Sequence, residues 1–454
     1  MQRSTIATLT LIALLLTACG GPTGTAVPPN APQGVIVVSG PGVVDVSWQH
    51  DGRDVTSFAV QRRTVEAGDG AATLSAFETL TEVDAAARSY RDETVVLGAG
   101  YEYTVSARGA AGTSSPTAQA ALPVSAACAT MDDVVTVLDP QLAAGIAAEL
   151  DLASNTITCA HVGAITQLVV EGVGVTSLAG LQYATNLTRL RLNDNAISLL
   201  WPLAGLTSID HLQVAGNDIA DVTPIAGLTA MRVLMLSDNP IASLEVVRAF
   251  HALQYLGAAR TLITDIGVLA DKGDVIYVWL NEAEGITDFS PLATLTGLEV
   301  LLVGGTSFDD GDVAMVASMP KLTRLQVWAT SVSDLSPLAG LDLRFELDVG
   351  ATAVTDLSPI HHMTSLQQIR LYWLGLSEAD LAFLADFEQL ALVNLHGNEL
   401  TSLSPLVAHA SLGDGVAIDV SLNRLDLDDV QVQDDIATLE SRGVVLTYEP
   451  QRSD

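Results

Sequence analysis

The sequence is poor in several residue types that carry recognisable chemistry. Its 454 residues include three cysteines, eight histidines and 5% aromatic residues. It has no CxxC pair and no histidine cluster that would supply the ligands of a zinc site. It also lacks a nucleophile elbow, a zincin helix and a paired-carboxylate motif, and Gly304-Gly305 belongs to no phosphate-binding loop pattern. These absences predict a chain without a metal, a cofactor or a catalytic site.

Positive charge is scarce as well. Lys and Arg number 20 against 53 Asp and Glu, which gives a formal net charge of −33. Phosphate backbones and anionic lipid surfaces are bound through Lys and Arg, so this balance argues against nucleic acid and against adsorption to anionic lipid. The acidity favours solubility, and a cationic ligand is the alternative. Hydrophobic residues make up 49% of the chain, enough for a packed core built mainly from aliphatic side chains.

The first residues form an export signal. A basic start with Arg3 is followed by the apolar run Ile6–Leu16, which is shorter than the roughly 20 residues of a membrane span. The run ends in Leu16-Thr17-Ala18-Cys19, which resembles the lipobox of bacterial lipoproteins. The resemblance implies cleavage after residue 18 and acylation of Cys19, which would anchor the protein in a membrane. An ordinary secretory signal with an incidental cysteine is the alternative.

The residue after Cys19 and the segment that follows it indicate which membrane the protein would reach and how it would be attached. In Gram-negative lipoproteins Asp at that position favours the inner membrane, so Gly20 favours the outer membrane. Residues 19–33 are rich in Gly, Pro and Thr, and that composition predicts a flexible tether. Cys128 and Cys159 are the remaining cysteines, 31 residues apart, and export favours a disulfide between them.

Residues 34–124 contain short alternating runs separated by turn residues, which predicts a small β-sandwich. The runs around Trp48 and at Tyr101–Ala107 resemble the core-tryptophan and tyrosine-corner strands of fibronectin type III domains. The usual proline of the corner loop is missing, and so is an Arg-Gly-Asp sequence, so no binding residue is carried over. Such modules in bacterial extracellular proteins are mostly spacers, and ligand binding is the alternative.

The dominant feature of the remaining sequence is an internal repeat. Leu187-x-x-Leu190-x-Leu192-x-x-Asn195-x-Ile197 recurs about twelve times, and the first steps are 22 residues long. This pattern is the leucine-rich-repeat signature and most resembles the internalin-type surface proteins of bacteria. It predicts an α/β solenoid at 167–425 whose short strands form a parallel concave sheet. Asn, or Thr in later repeats, would satisfy backbone groups at the turn. The central apolar residues are 170, 192, 214, 236, 258, 280, 303, 327, 349, 371, 395 and 420.

The ends and two inserts depart from this period. Residues 125–166 predict an N-terminal cap pinned by the disulfide, with a helix start at Asp139-Pro140. Residues 426–454 predict a C-terminal cap with a helix and a closing strand at 444–448. Inserts beginning at Asp309 and Ser377 predict helices capped by these residues. These segments contain clusters of acidic residues. Helix capping explains the clusters better than a calcium site does, because the spacing of an EF-hand loop is absent.

The concave strand positions are the candidate binding surface. Residues 125–454 carry 13 Lys and Arg against 42 Asp and Glu, but the 36 concave positions hold four of each. They also hold five of the 15 aromatic residues of this region. Exposed aromatics and Arg are typical of interface hot spots, and an Arg pair can hold carboxylates of a protein or an acidic glycan. The candidate residues are Tyr255, Tyr277, Trp279, Arg324, Trp328, Arg370 and Tyr372.

These features together predict a non-catalytic cell-envelope lipoprotein. It would bind a protein, or an envelope glycan, through the concave face of its repeats, with adhesion among the uses of such binding. The alternative is a passive structural component of the envelope or matrix, in which the concave aromatics only decorate a sheet.

Overall fold

The computed structural model describes residues 28–40, 43–50, 53–66, 73–96, 100–120, 128, 130–135, 137, 139–153 and 156–452. The chain divides into two compact units, Met1–Ala126 and Ala127–Asp454. The predicted export signal and Cys19 lie outside the described residues. Among the helices that the structure describes, none is long and apolar enough to cross a membrane.

The first unit is built from antiparallel strands. One sheet has the order β1-β2-β6, and the other has the order β4-β3-β7-β8 with β5 and β9 paired to β3 and β7. Trp48, Phe58 and Tyr103 are buried in its core, as the alternating runs predict. The Tyr101 hydroxyl accepts a hydrogen bond from the Val96 amide at 3.1 Å. The strands are β1 Gln33–Gly40, β2 Val43–Gln49, β3 Ser57–Glu66, β4 Thr73–Leu74, β5 Glu78–Asp84, β6 Ser89–Asp92, β7 Gly100–Gly109, β8 Gly112–Thr113 and β9 Thr117–Ala120.

The second unit contains a parallel sheet of 13 strands, β10 to β22, in chain order. Each strand is three residues long and pairs in register with the next. The strands are β10 Gln167–Val169, β11 Arg189–Arg191, β12 His211–Gln213, β13 Val233–Met235, β14 Tyr255–Gly257, β15 Tyr277–Trp279, β16 Val300–Leu302, β17 Arg324–Gln326, β18 Glu346–Asp348, β19 Gln368–Arg370, β20 Leu392–Asn394, β21 Ala417–Asp419 and β22 Val445–Thr447. This architecture is the predicted leucine-rich-repeat solenoid.

Short helices return the chain between strands. The α-helices are α1 Pro140–Glu149, α2 Cys159–Ala164, α3 Asp310–Val316, α4 Ser404–Ala408 and α5 Val430–Ser441. The described 3-10 helices are Leu181–Tyr183, Trp201–Leu203, Thr223–Ile225, Glu245–Ala249, Gly267–Leu269, Ser290–Thr294, Ser336–Gly340, Ser358–Ile360 and Glu378–Asp386. The last of these corrects the α-helix expected after Ser377. Its buried Leu381 and Leu384 are three residues apart, a spacing that both helix types place on one side, so the pattern alone could not separate them.

The repeating leucines explain why the coils stack. The middle residue of each strand from β10 to β21 points into the solenoid and is fully or almost fully buried, as are the flanking apolar residues of the motif, while Leu446 of β22 is half-buried. One coil of about 22 residues cannot cover this apolar side, so each coil needs its neighbours. The buried side chains form one continuous cluster from Val135 to Val444.

The residue two positions after each central apolar residue adopts a left-handed backbone conformation. Glycine fills this position in four coils, at Gly172, Gly216, Gly305 and Gly397. Eight further coils place a residue with a side chain there, at a steric cost that glycine avoids. These residues are Asp194, Asp238, Arg260, Glu282, Ala329, Ala351, Trp373 and Leu422, with φ between 50° and 57°.

The start of the solenoid is covered by α1, α2 and the disulfide between Cys128 and Cys159. The Asp139 carboxylate accepts hydrogen bonds from the amides of Gln141 and Leu142 and so caps α1. Its second oxygen accepts from the Thr176 amide and hydroxyl at 2.8 and 2.9 Å. One buried carboxylate therefore ties the capping helix to the first coil.

The end of the solenoid is covered by α5, β22 and the last described residues. The Leu422 amide donates to the Pro450 carbonyl at 2.6 Å, and the Arg452 amide donates to the Asn423 carbonyl at 2.8 Å. The Arg452 guanidinium donates to backbone carbonyls of Leu422 and Gly397. These bonds replace the contacts that a further coil would make with the last one.

Candidate functional site

The seven candidate residues lie on strands β14 to β19 or directly after them, on the concave side. All seven are half-buried rather than freely exposed. The Tyr255 and Tyr277 rings are register partners whose centroids are 6.0 Å apart. Trp279 continues from this pair, and the Arg260 guanidinium lies 5.9 Å from its ring centroid. The strands therefore bring these aromatic residues onto one surface.

Several concave positions that the alternation predicts to be exposed are buried instead. At several of them a long side chain from a neighbouring strand lies over a short one, as Trp328 does over Gly304 and Tyr372 over Gly350. The buried positions are Val233, Ser237, Gly257, Ala259, Asn281, Leu302, Gly304, Glu346, Asp348, Gly350 and Ser421.

Arg324 and Arg370 share one buried carboxylate. Glu346 lies on β18 between them and its side chain is 0% exposed, while the two arginines are 28% and 24% exposed. Arg324 Nε is 2.5 Å from Glu346 Oε2, and Arg370 forms the second ion pair. Gln326 donates to the same carboxylate at 3.0 Å. The arginine pair predicted to hold ligand carboxylates thus already holds one from its own sheet.

Asp348 is the second buried acid of β18. It accepts a hydrogen bond from the Gly350 amide at 3.0 Å. Desolvation outweighs this bond and raises the pKa of Asp348 to about 7. Burial also raises the pKa of Tyr372, and the nearby Asp348 carboxylate adds to the increase. Burial and the neighbouring Arg324 lower the pKa of Arg370. The middle of the concave face is thus a desolvated network of charges.

Glycines make room for two of the candidate aromatics. A Cβ on Gly304 would collide with Trp328 at nearly equal distances from Nε1, Cε2 and Cδ1. If the Cβ position lay in the plane of the ring, beside its edge, it would be much closer to one ring atom than to the next. The nearly equal distances therefore show that the face of the indole lies on Gly304. Its far end covers Gly305, where a Cβ would lie 3.3 Å from Cη2 and Cζ3. Tyr372 lies over Gly350 in the same way, with Cε1, Cζ and Cδ1 nearly equidistant.

Trp373 is a further flat ring that sequence reasoning missed. A Cβ on Gly397 would lie 2.5 Å from both Cδ2 and Cε2 of Trp373 and 2.8 Å from Cε3. Trp373 is 46% exposed, and the Arg452 guanidinium lies 5.3 Å from its ring centroid. It was missed because it lies after the strand, at a position with left-handed backbone conformation. The alternation of inward and outward side chains along the strand does not extend to that position. A signal was present, since each of these glycines stands one coil away from a tryptophan or tyrosine.

The other motifs are structural. The His361 ring stacks on Phe383 at 4.7 Å, and His362 Nε2 lies 2.6 Å from the Leu341 carbonyl oxygen. Asp309 caps α3 as predicted, with Asp312 completing a capping box. Within the described part of the chain, no group of three or more His, Cys, Asp or Glu side chains is placed to hold a metal.

The repeats, the parallel sheet and the stacked coils define the chain as a leucine-rich-repeat protein. No family model and no curated protein matches it in sequence. Among solved structures it is similar to internalin InlF of Listeria monocytogenes, with 26% identity, a TM-score of 0.57 and coverage of 70% of this chain and 91% of that one. Internalin C2 of the same organism is 30% identical, with a TM-score of 0.40 and coverage of 51% and 93%. The functional domain of InlJ, which includes a cysteine ladder, is 18% identical, with a TM-score of 0.47 and coverage of 67% and 78%.

Proposed function

We propose that this protein is an exported, non-catalytic recognition protein that binds a macromolecular ligand through the concave face of its solenoid. One observation carries the proposal. Aromatic rings, two arginines and two buried acids are gathered on strands β14 to β19, while most charge elsewhere in the solenoid is acidic. Burying polar groups on the face of a sheet costs free energy, and a solenoid needs only its inward-facing side to fold.

The ligand of this face is a protein or a glycan of the cell envelope. Half-buried aromatic side chains held in place by neighbours lose little conformational freedom on binding, which suits both kinds of ligand. The likeness to InlF supports the solenoid as the scaffold. The face-on placement of Trp328 and Tyr372 is the observation that favours a glycan.

We further propose that Cys19 carries a lipid and anchors the protein in the outer membrane of a Gram-negative cell. Residues 19–33 would then act as a tether and the antiparallel unit, which resembles a fibronectin type III domain, as a spacer. A Cys19→Ser variant tests the anchor. It should leave the membrane fraction and lose incorporation of labelled palmitate, whereas retention of both would contradict lipidation at Cys19.

A pull-down with the full chain tests recognition against a passive structural role. The bait is compared with the Trp279→Ala/Trp328→Ala variant in native envelope extracts that contain both proteins and glycans. Circular dichroism must show that both baits are equally folded. A ligand kept by the first and lost by the second supports the concave site. Equal retention moves the site elsewhere, and no ligand with either bait favours the passive structural role.

A further inference from the structure

Three flat rings line the carboxyl ends of alternate strands in the concave sheet. Trp328 lies over Gly304 after β16, Tyr372 over Gly350 after β18, and Trp373 over Gly397 after β20. Neighbouring strands are about 4.8 Å apart, so Gly304 and Gly350, with the two rings that lie over them, stand about 10 Å apart in one row. Trp373 and Gly397 lie in the neighbouring row, at the left-handed position one residue further along each coil. We call Trp328, Tyr372 and Trp373 the aromatic strip.

We propose that the aromatic strip binds an extended, uncharged β-1,4-linked polysaccharide, with every second sugar stacked on a ring. The inference rests on the proposed recognition by the concave face and names the ligand class. In a β-1,4-linked chain alternate sugars present the same flat face, and the repeat is a disaccharide. The length of that disaccharide is close to two strand spacings of this sheet. A ligand with this repeat meets Trp328 and Tyr372 along one row, and Trp373 lies beside that row.

The surroundings of the strip leave an extended chain room. The left-handed positions that follow the strands form the row beside Trp328 and Tyr372. In the three coils directly before Gly305 this row holds Asp238, Arg260 and Glu282, and in the next three coils it holds Gly305, Ala329 and Ala351. Trp373 and Gly397 continue the row. The small side chains of Gly305, Ala329 and Ala351 leave this edge open as far as Trp373.

The other edge of the strip is lined by planar polar groups. Gln326, Asp348, Arg370 and Asn394 occupy the preceding concave position on β17 to β20. The amides of Gln326 and Asn394 donate and accept in one plane, and the Arg370 guanidinium donates in one plane, which matches the equatorial hydroxyls of a sugar ring.

The charges around the strip and on the whole chain favour an uncharged polymer. Around the strip, Arg324 and Arg370 are balanced by Glu346 and Asp348, while the whole chain carries −33. An acidic polysaccharide would approach a strongly negative protein, and for a basic one the carboxylates of Glu346 and Asp348 beside the rings are buried. An uncharged glycan meets neither penalty.

The test is titration calorimetry of the full chain in detergent with three hexasaccharides. Cellohexaose and chitohexaose are β-1,4-linked, and maltohexaose is the α-1,4-linked control whose chain curves. Binding of a β-1,4-linked hexasaccharide, with affinity that rises from disaccharide to hexasaccharide, is expected. Equal binding of maltohexaose, or no binding of either β-linked probe, would overturn the proposal.

Variants of the strip make the test specific. Trp328→Ala and Tyr372→Ala should each weaken binding about threefold to tenfold, as expected for one lost aromatic contact. Trp201→Ala, in the 3-10 helix Trp201–Leu203, is the matched tryptophan control and should bind like the parent. Thermal unfolding of each variant establishes that it is folded.

A glycine substitution tests the placement of the ring rather than its presence. Gly350→Ala puts a methyl group where the Tyr372 ring lies, so the ring must leave its place. It should weaken binding as much as Tyr372→Ala, and the double variant should be no weaker than either single one. Additive losses would show that the ring and the glycine act separately and would contradict the proposal.

The outcomes also separate this inference from the function on which it rests. If the glycans fail to bind while a protein in envelope extracts is captured and lost with the concave variants, recognition stands and the glycan inference falls. If the concave variants lose neither kind of ligand, both proposals fall.

Discussion

Two groups of coils in this solenoid use different residues at the same turn. In the first group, Asn217 donates to the carbonyls of Leu192 and Val214 at 3.0 Å and accepts from the Ile197 amide at 2.9 Å. It therefore joins its own coil to the preceding one. In the second group, the Thr330 hydroxyl donates to the Val327 carbonyl within its own coil. Thr261, Thr306 and Thr352 do the same.

Polar links on the concave face join the threonine coils to each other and to their neighbours. Asn281 Nδ2 donates to Gln326 Oε1 at 3.1 Å, Gln326 donates to Glu346, and Glu346 pairs with two arginines. Concave links also occur among the asparagine coils, where Asn193 donates to Glu171 at 2.7 Å, but there they add to the links at the turn. The comparison teaches that coils without the asparagine keep polar links that involve the binding face. Where they do, the candidate site and the stability of the solenoid depend on the same residues.

The largest effect is expected at Glu346, the centre of the links in the threonine coils. Glu346→Ala leaves two half-buried guanidinium groups without their carboxylate, and breaking a buried ion pair in this way costs about 3–5 kcal/mol. Urea unfolding of the full chain measures the loss. Glu171→Ala is the matched control, because Glu171 pairs with the exposed Arg191 and should cost little. Similar losses for both would mean that the concave network does not link the coils.

The second effect depends on pH and should also be confined to the threonine coils. The folded pKa of Asp348 is about 7, above its ordinary value of 3.8, so folding favours the protonated acid. The contribution of Asp348 to stability should fall as the pH rises from about 4 to 7, by up to about 4 kcal/mol. Asp348→Asn should remove this contribution from the pH profile and be more stable than the parent at pH 8. Parallel pH profiles of the two proteins would contradict the raised pKa.

The third effect compares the two turn residues directly. Asn217→Ala leaves an amide and two carbonyls without their partner and should cost about 3 kcal/mol, against about 1 kcal/mol for Thr330→Ala. The free energy of unfolding of each variant is obtained from its denaturant midpoint. The slopes of the two transitions are compared as well, because a solenoid can unfold in parts. Equal costs would show that the asparagine link between coils adds nothing.

The smallest effect concerns backbone strain. Ala351 has φ of 53°, and Ala351→Gly should stabilise the solenoid by about 0.5–1 kcal/mol, since glycine adopts this conformation without steric cost. Asp194→Gly should gain less, because Asp tolerates the left-handed region better than Ala does. Thermal unfolding of the two variants checks the order. A greater gain at Asp194 would contradict this explanation.

The repeat architecture was predictable because it depends on burial with a fixed period. Leu190 and Leu212 recur at equal positions since every coil presents the same inward side. The concave site was predictable only in part. Alternation places Glu346 on the concave side but does not say that Arg324 and Arg370 lean over it from both neighbouring strands. Trp373 escaped because its position follows the strand, where alternation no longer applies.

The hydrogen bonds from Leu422 to Pro450 and from Arg452 to Asn423 have a consequence for the last strand of the sheet. The outermost strand of a parallel sheet pairs on one side only and is therefore the strand most easily separated from it. Here that strand is β22, and residues 450–452, which follow it, bond back to the coil of β21. Because α5 precedes β22 and these bonds follow it, the strand is fastened on both sides along the chain. Fraying of the sheet from this end would have to break these bonds first.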